Sequence, residues 1–328
     1  MKAFAARAYG GPEVMALAAL PEPEAGPGEV VVDVHAASVS PFDWMMRNGY
    51  FRPRSTDEFP RVFGADFAGT VKSVGQGVSG FSPGTPVYGE SSPIAGGQGA
   101  HAERLLIAAS RVHKMPRGLT FEQAAALPSA ALTVLDGFWR CGPLQGKRVL
   151  VNGATGGVGH FAVQIASARG ATVTAVCSAD HAERARALGA TQVIDQDAED
   201  FTRLPRRYDI LFDAQGTVDR ESASRVIVRG GNFVTTLPVQ PVGLTALLRR
   251  LLGGPKIIVA VPRGRPEDYA VLARLLAAGR VRPVVADVFP LERAHEAFAA
   301  QEAGRAVGKV IIRVGEPEPP VPAIHRYH

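Results

Sequence analysis

An α/β chain with a doubly wound parallel sheet, plus a second, β-rich part, is what three features of this sequence predict. Between about residues 124 and 262 short apolar runs alternate with stretches of helical spacing. One strand-to-helix junction in that region is glycine-rich, Val149-Leu150-Val151-Asn152-Gly153-Ala154-Thr155-Gly156-Gly157-Val158-Gly159. Residues 1–123 instead carry short β-prone runs between glycine and proline turns.

Taken in order, Glu29 to Ala36 reads as a strand after the turn Pro27-Gly28, and Pro41 to Asn48 as a helix. Gly69 to Val74 and Thr85 to Tyr88 are short strands, and Phe121 to Leu127 opens helical sequence. The parallel strands are expected at Val149–Val151, Thr172–Val176, Gln192–Ile194, Ile210–Phe212, Asn232–Thr235 and Ile257–Val261, joined by right-handed crossovers. Leu244 to Leu252 reads as a helix whose Leu247, Leu248, Leu251 and Leu252 suit a core, a subunit contact or a cleft cap. A helix from Ala270, a turn at Gly279, a strand near Val284–Val288, another helix and a last strand Lys309–Val314 follow. The boundaries expected are 1–123, 124–262 and 263–328, the last ending in the proline-rich tail Glu316 to Pro322.

The glycine-rich junction points to a dinucleotide. At Gly156 the missing Cβ lets the backbone approach a pyrophosphate, and at Gly159 it lets the helix close on the strand. The helix N-terminus then offers free N–H groups to the anion. About 20 residues on, an acid would mark NAD. The chain places Ser178 there, a hydroxyl that donates to a 2′-phosphate where a carboxylate would repel it. Arg184 and Arg186 follow and add positive charge. Asp180 is the rival acid, but Asp180-His181-Ala182-Glu183 reads as a capping box for the next helix. The expected cofactor is therefore NADPH.

Composition narrows the class. The chain is 46% hydrophobic and 20% charged, with net charge +5 and no basic run of the kind a nucleic-acid tail needs. Cys141 and Cys177 are its only cysteines, too few for a disulfide framework, and a cytoplasmic location fits them. The most apolar tract, Val242 to Val261, is broken by Arg249, Arg250, Gly253, Gly254, Pro255 and Lys256, so no membrane span is expected.

Several stretches together resemble the medium-chain dehydrogenase/reductase superfamily, in its zinc-free quinone-oxidoreductase branch. Within that branch the likeness is to the reticulon-interacting-protein-like NADPH oxidoreductases. The stretches are Ser38 to Trp44, Phe63-Gly64-Ala65-Asp66-Phe67-Ala68-Gly69, Ala124 to Thr133, Gly153 to Gln164, and Gly308-Lys309-Val310-Ile311. The resemblance implies a GroES-like catalytic domain made from both chain ends, a central Rossmann domain and a homodimer. It implies that Thr155, Gly157 and Val158 meet the pyrophosphate, Ser178 the 2′-phosphate, Gln196 the adenosine end and Gly216 the ribose. Thr133, Leu237 and Val261 would lie near the nicotinamide, and Arg305, Ala306 and Lys309 would reach back from the catalytic domain. An asparagine common in the branch is Ser40 here, which leaves Tyr50, beside Phe51, as the candidate to polarise substrate. Asp43 is the second candidate, as an acid–base group or as a hydrogen-bonding brace. The Lys256–Val261 strand is a candidate to pair with its twin across a two-fold axis.

Zinc-dependent relatives place a cysteine at Ser40 and His-Glu at Ala65-Asp66. The triplets His101-Ala102-Glu103 and His181-Ala182-Glu183 lack cysteine partners, so no metal is expected. Without a Lewis acid the favoured acceptors are quinones and α,β-unsaturated carbonyls, whose conjugation spreads the incoming charge. The expectation is an NADPH-dependent quinone or enone oxidoreductase. A dedicated biosynthetic enoyl reductase and a non-catalytic NADPH-binding protein are the alternatives.

Overall fold

A computed structural model describes residues 1–50, 58–91, 93–204, 207–237 and 253–315. In chain order its strands and helices begin with β1 (Lys2–Ala6), β2 (Met15–Ala19), β3 (Glu29–Val39), α1 (Pro41–Arg47), β4 (Arg61–Val62), β5 (Asp66–Val74) and β6 (Pro86–Glu90). Then come β7 (Arg104–Ala108), β8 (Val112–Lys114), α2 (Phe121–Ala125), α3 (Pro128–Cys141), β9 (Arg148–Asn152), α4 (Gly159–Ala168) and β10 (Thr172–Cys177). Next are α5 (Ala182–Ala187), β11 (Gln192–Asp195), β12 (Tyr208–Asp213), α6 (Arg220–Val226), β13 (Ile227–Thr235) and β14 (Lys256–Val259). The described chain closes with α7 (Pro266–Ala277), β15 (Val285–Pro290), α8 (Ala294–Glu302) and β16 (Lys309–Arg313).

Two units emerge, one of Met1–Pro128 with Val285–His328 and one of Ser129–Val284. In the first, β3 carries five valines among its eleven residues, and eight of the eleven are buried, on both faces of the strand. Val30, Val31, Val32 and Val34 are all buried there. It stands inside a seven-stranded sheet, β15-β16-β3-β5-β6-β8, with β7 also paired to β3. Phe4, Phe67, Leu105, Phe298 and Ile312 fill that unit's core. A small sheet, β2-β1-β4, completes it.

The second unit is a six-stranded sheet in the order β11-β10-β9-β12-β13-β14, parallel throughout. The order reverses between β9 and β12, so the carboxyl ends of β9, β10, β11 and β12 form the edge where such a sheet binds ligands. Leu150, Val176, Leu211 and Phe233 form the core on which this edge rests.

The structure departs from the sequence expectations at four points. Residues 263–284 group with the parallel sheet rather than with the last segment. Side chains tie them there: Arg263 Nε donates to Asp136 Oδ1 at 2.7 Å and Gln164 clasps the backbone of Arg282 through both its amide atoms. β13 begins at Ile227 rather than Asn232, because Ile227 pairs with Tyr208 before a register shift. β14 stops at Val259, since the Val261 N–H leaves the ladder and points to Asp136 Oδ2. Asp180 caps no helix; it is exposed inside a 3-10 turn, Ala179–His181, and α5 starts only at Ala182. The expected helix Leu244–Leu252, with its four leucines, and the tail Glu316–Pro322 lie outside the described residues. Among the described residues no helix is long and apolar enough to cross a membrane.

Candidate cofactor site and active-site residues

The turn between β9 and α4 is shaped by its glycines. Gly153 leaves the strand at φ +70°, a left-handed conformation that side chains disfavour. The Ala154 N–H then bonds to the Val176 carbonyl of β10 at 3.0 Å, and the Gly156 N–H bonds back to the Gly153 carbonyl at 3.1 Å. A Cβ on Gly159 would sit 1.9 Å from the Gly153 carbonyl oxygen, so the helix approaches the turn as closely as only glycine permits. A Cβ on Gly156 would meet only the Gly153 oxygen at 3.4 Å, which leaves its outer side open. The backbone N–H groups of Thr155, Gly157 and Val158 find no acceptor among the described residues. Thr155 is buried and Gly157 and Val158 are half-buried, and unpaired donors gathered at a helix start make a cradle for an anion.

Asp213, at the end of β12, organises the neighbouring loop. It is fully buried and accepts hydrogen bonds from Asn152 Nδ2 at 2.9 Å, Gly216 N at 3.0 Å and Val218 N at 2.8 Å. Burial pushes its carboxyl upward, and those donors pull it back. They hold Gly216 at φ +71°, where a Cβ would strike the Leu237 side chain at 2.5 Å; the structure thus brings Gly216 and Leu237 together. A cavity of about 400 Å³ opens at this edge, lined by Asn152, Gln196, Asp197, Glu199, Gln215 and Thr217 among others. Gln196 was legible in the sequence; Asn152, Gln215 and Thr217 were not, because only the parallel register places three strand ends side by side.

Ser178 follows β10, and its neighbour across the sheet is Gln196, whose N–H bonds to the Cys177 carbonyl at 3.1 Å. Its Oγ lies 3.0 Å from His181 Nδ1. Thr133 is buried on α3. That helix covers the sheet at Val234, Phe212 and Ala260, the side chains a Cβ on Gly137 would meet. Val261 is 42% exposed beyond β14.

The other unit holds the remaining candidates. Asp43 is fully buried with both oxygens engaged: Oδ2 accepts from the Ser40 N–H at 2.7 Å and hydroxyl at 2.9 Å, Oδ1 from the Gly64 N–H at 2.9 Å. It braces the start of α1 against the strand-to-strand turn at Gly64. Tyr50 is 71% exposed just after α1; Phe51 lies outside the described residues. Arg305 is exposed and Ala306 packs on the core. Lys309, expected to reach back toward the cofactor, is held by an acid of its own unit. It is buried, and its ammonium lies 3.3 Å from Asp66 Oδ2, which also accepts from the Ser38 hydroxyl at 2.7 Å.

Sequence reasoning missed the acid beside that pair. Glu90 on β6 stands in register opposite Asp66 on β5. Burial and the Asp66 charge push its carboxyl up to about 8, against opposing pulls from Arg111 and Lys309. His101 is buried close by; its Nε2 donates to the Ser38 carbonyl at 3.0 Å, and burial lowers its basicity. This donor set does not fit zinc: the Ser40 hydroxyl is spent on Asp43, Ala65 has no donor, and Asp66 is taken by Ser38 and Lys309. Among the described residues no group of three His, Cys, Asp or Glu side chains could hold a metal ion.

A parallel-sheet unit with an anion cradle at its strand ends, joined to a β-rich unit of split sequence, defines a dinucleotide-dependent oxidoreductase of two units. The comparisons agree. The family model for an alcohol dehydrogenase GroES-like domain matches residues 26–117, and the one described as zinc-binding dehydrogenase matches residues 188–312. The chain is 34% identical over 327 residues to the NAD(P)H oxidoreductase RTN4IP1, mitochondrial, of Homo sapiens, covering 88% of this chain and 82% of the relative. It is 35% identical to an NADPH-dependent alkenal/one oxidoreductase, chloroplastic, of Arabidopsis thaliana, covering 95% of this chain and 79% of that one. Among solved structures, the quinone oxidoreductase from Coxiella burnetii superposes with a TM-score of 0.87 at 28% identity, covering 96% of this chain and 99% of the other. The chain belongs to the medium-chain dehydrogenase/reductase superfamily, in its quinone-oxidoreductase branch.

Proposed function

We propose that this protein is an NADPH-dependent oxidoreductase that reduces quinones or α,β-unsaturated carbonyls without a metal. One observation carries the reading: the three unpaired N–H groups of Thr155, Gly157 and Val158 beside the open face of Gly156, at the carboxyl edge of the parallel sheet. NADPH, when bound, supplies the hydride. The turn holds the pyrophosphate, and Ser178 donates to the 2′-phosphate. Gln196 and the cavity beside it take the adenosine end, and the Gly216 backbone meets the ribose. Thr133, Leu237 and Val261 line the nicotinamide side. Lys309 gives its charge to Asp66, which stabilises the sheet around the catalytic unit.

The acceptor side follows from charge. A conjugated carbonyl delocalises the negative charge that arrives with hydride, so one hydrogen-bond donor suffices where an isolated ketone needs a stronger electrophile. Tyr50, exposed and carrying a phenol, is that donor in this reading, and Asp43 fixes the start of α1, the helix whose C-terminal turn leads to Tyr50. A Tyr50→Phe variant that keeps full turnover would assign Tyr50 to packing alone.

One edge of the six-stranded sheet is β14, which suits pairing with the same strand of a second copy in a homodimer; a mass measurement showing only monomer refutes this. Cys141 and Cys177 are both free thiols, which suits a reducing compartment such as the cytoplasm.

The testing experiment is the absorbance-monitored oxidation of NADPH and NADH, side by side, against quinones and enones, with saturated aldehydes and ketones as controls. Turnover of NADPH with the conjugated acceptors is expected. Turnover confined to saturated ketones, or no binding of NADPH, overturns the proposal.

A further inference from the structure

The segment after β10 holds a second group beside Ser178. His181 lies at the end of the 3-10 turn that leaves the strand, half-buried, with Nδ1 3.0 Å from the Ser178 Oγ. A serine hydroxyl has one hydrogen to donate. While Nδ1 of the ring carries a lone pair, that hydrogen goes to His181 and is lost to any ligand. When the ring is protonated at both nitrogens, Nδ1 donates to Oγ instead and the serine hydrogen turns outward. Protonation of His181 therefore does two things at once: it adds a positive charge, and it makes Nδ1 a donor whichever neutral tautomer it started from, so that the serine hydrogen is always free.

Resting on the NADPH reading above, we propose that His181 is the specificity-determining residue for the 2′-phosphate, and that it takes up a proton as the phosphorylated dinucleotide binds. The charged neighbours set the balance. Asp180 and Glu183 flank it on its own segment, Arg184 and Arg186 lie on α5, and Asp195 ends β11; the Asp195 carboxylate and the Arg186 guanidinium both act on adjacent Cys177. A phosphate dianion placed at Ser178 therefore meets the acids Asp180 and Asp195, with the two arginines as its fixed relief. A histidine that charges on demand supplies the remainder. Histidine is the side chain whose charge changes between about pH 5 and 8. The phosphate monoester is already dianionic above about pH 7, its second pKa being about 6. At pH 7.5 a proton taken up on binding therefore comes to the protein and not to the phosphate.

The test is calorimetric titration of the full-length protein with NADPH and with NADH at pH 7.5, in two buffers of different ionisation enthalpy. For the wild type the expected result is proton uptake of a substantial fraction of one equivalent with NADPH and none with NADH. NADPH affinity should also weaken several-fold between pH 7 and 8.5 while NADH affinity stays flat. His181→Asn should abolish the uptake and flatten the NADPH profile, and His181→Lys, a permanent cation, should restore tight NADPH binding without pH dependence. A structural role alone would not produce that lysine rescue. Tight, preferred NADPH binding with no proton uptake, or with uptake unchanged in His181→Asn, overturns the inference and leaves the NADPH reading standing. Equal affinity for both dinucleotides overturns the NADPH reading, and the inference with it.

Discussion

Replacing Glu90 by glutamine is the sharpest test of the charge arrangement in the split unit. The Glu90→Gln side chain keeps the size and shape of the original but loses its titration. The Glu90 carboxyl rises from 4.5 to about 8 on folding, through burial first and the neighbouring Asp66 charge second. Between those values the folded state binds more protons than the unfolded one, so stability falls as pH rises through the window. The whole shift corresponds to roughly 5 kcal/mol at ~1.4 kcal/mol per pH unit, and the part between pH 6 and 8 to ~2 kcal/mol. Glu90→Gln should therefore gain ~2 kcal/mol on the wild type over that interval, since every other titrating group is common to both chains. The assay is urea unfolding followed by tryptophan fluorescence. The chain has two tryptophans, and a Trp139→Phe background leaves Trp44, in the split unit with Glu90, as the reporter. Parallel pH profiles for the two proteins would show that Glu90 is ionised in the fold and refute the reasoning.

Three further outcomes are expected. Ser178→Asp should weaken NADPH relative to NADH at least tenfold, about 1.4 kcal/mol, in equilibrium binding; an unchanged ratio places the 2′-phosphate elsewhere. Gly159→Ala puts a Cβ 1.9 Å from the Gly153 carbonyl oxygen, so a loss of about 3 kcal/mol in thermal or chemical unfolding is expected, together with loss of dinucleotide binding. A stable, binding-competent variant would mean the turn is not the tight junction described. Lys309→Met leaves the buried Asp66 carboxylate without its cation and should cost about 3–5 kcal/mol, of which Lys309→Met with Asp66→Asn should recover a large part. Additive losses in that pair would show that the two side chains are not coupled.

What local chemistry specifies was legible in the sequence. Apolar runs ending in glycine named the strand–turn–helix at β9 and α4, and the close approach of α4 to the turn at Gly159 followed from its missing Cβ. β-branched density marked β3 as a strand, and the alternation of strands and helices specified a parallel sheet. Ser178 could be placed because its distance from the glycine turn is set by one helix and one strand, both short-range elements. Only the tertiary structure decided what depends on register between distant segments. It put Glu90 opposite Asp66, carried Lys309 across 243 residues of chain to the same carboxylate, and gathered Asn152, Gln196 and Gln215 around one cavity. It also removed Asp180 from the helix cap, because the chain spends a 3-10 turn before α5 begins, and it moved residues 263–284 to the parallel unit through Asp136 and Gln164. A pattern of residue types fixes periodicity along the chain; which charges share a buried face is settled by strand order, and strand order is a property of the whole fold.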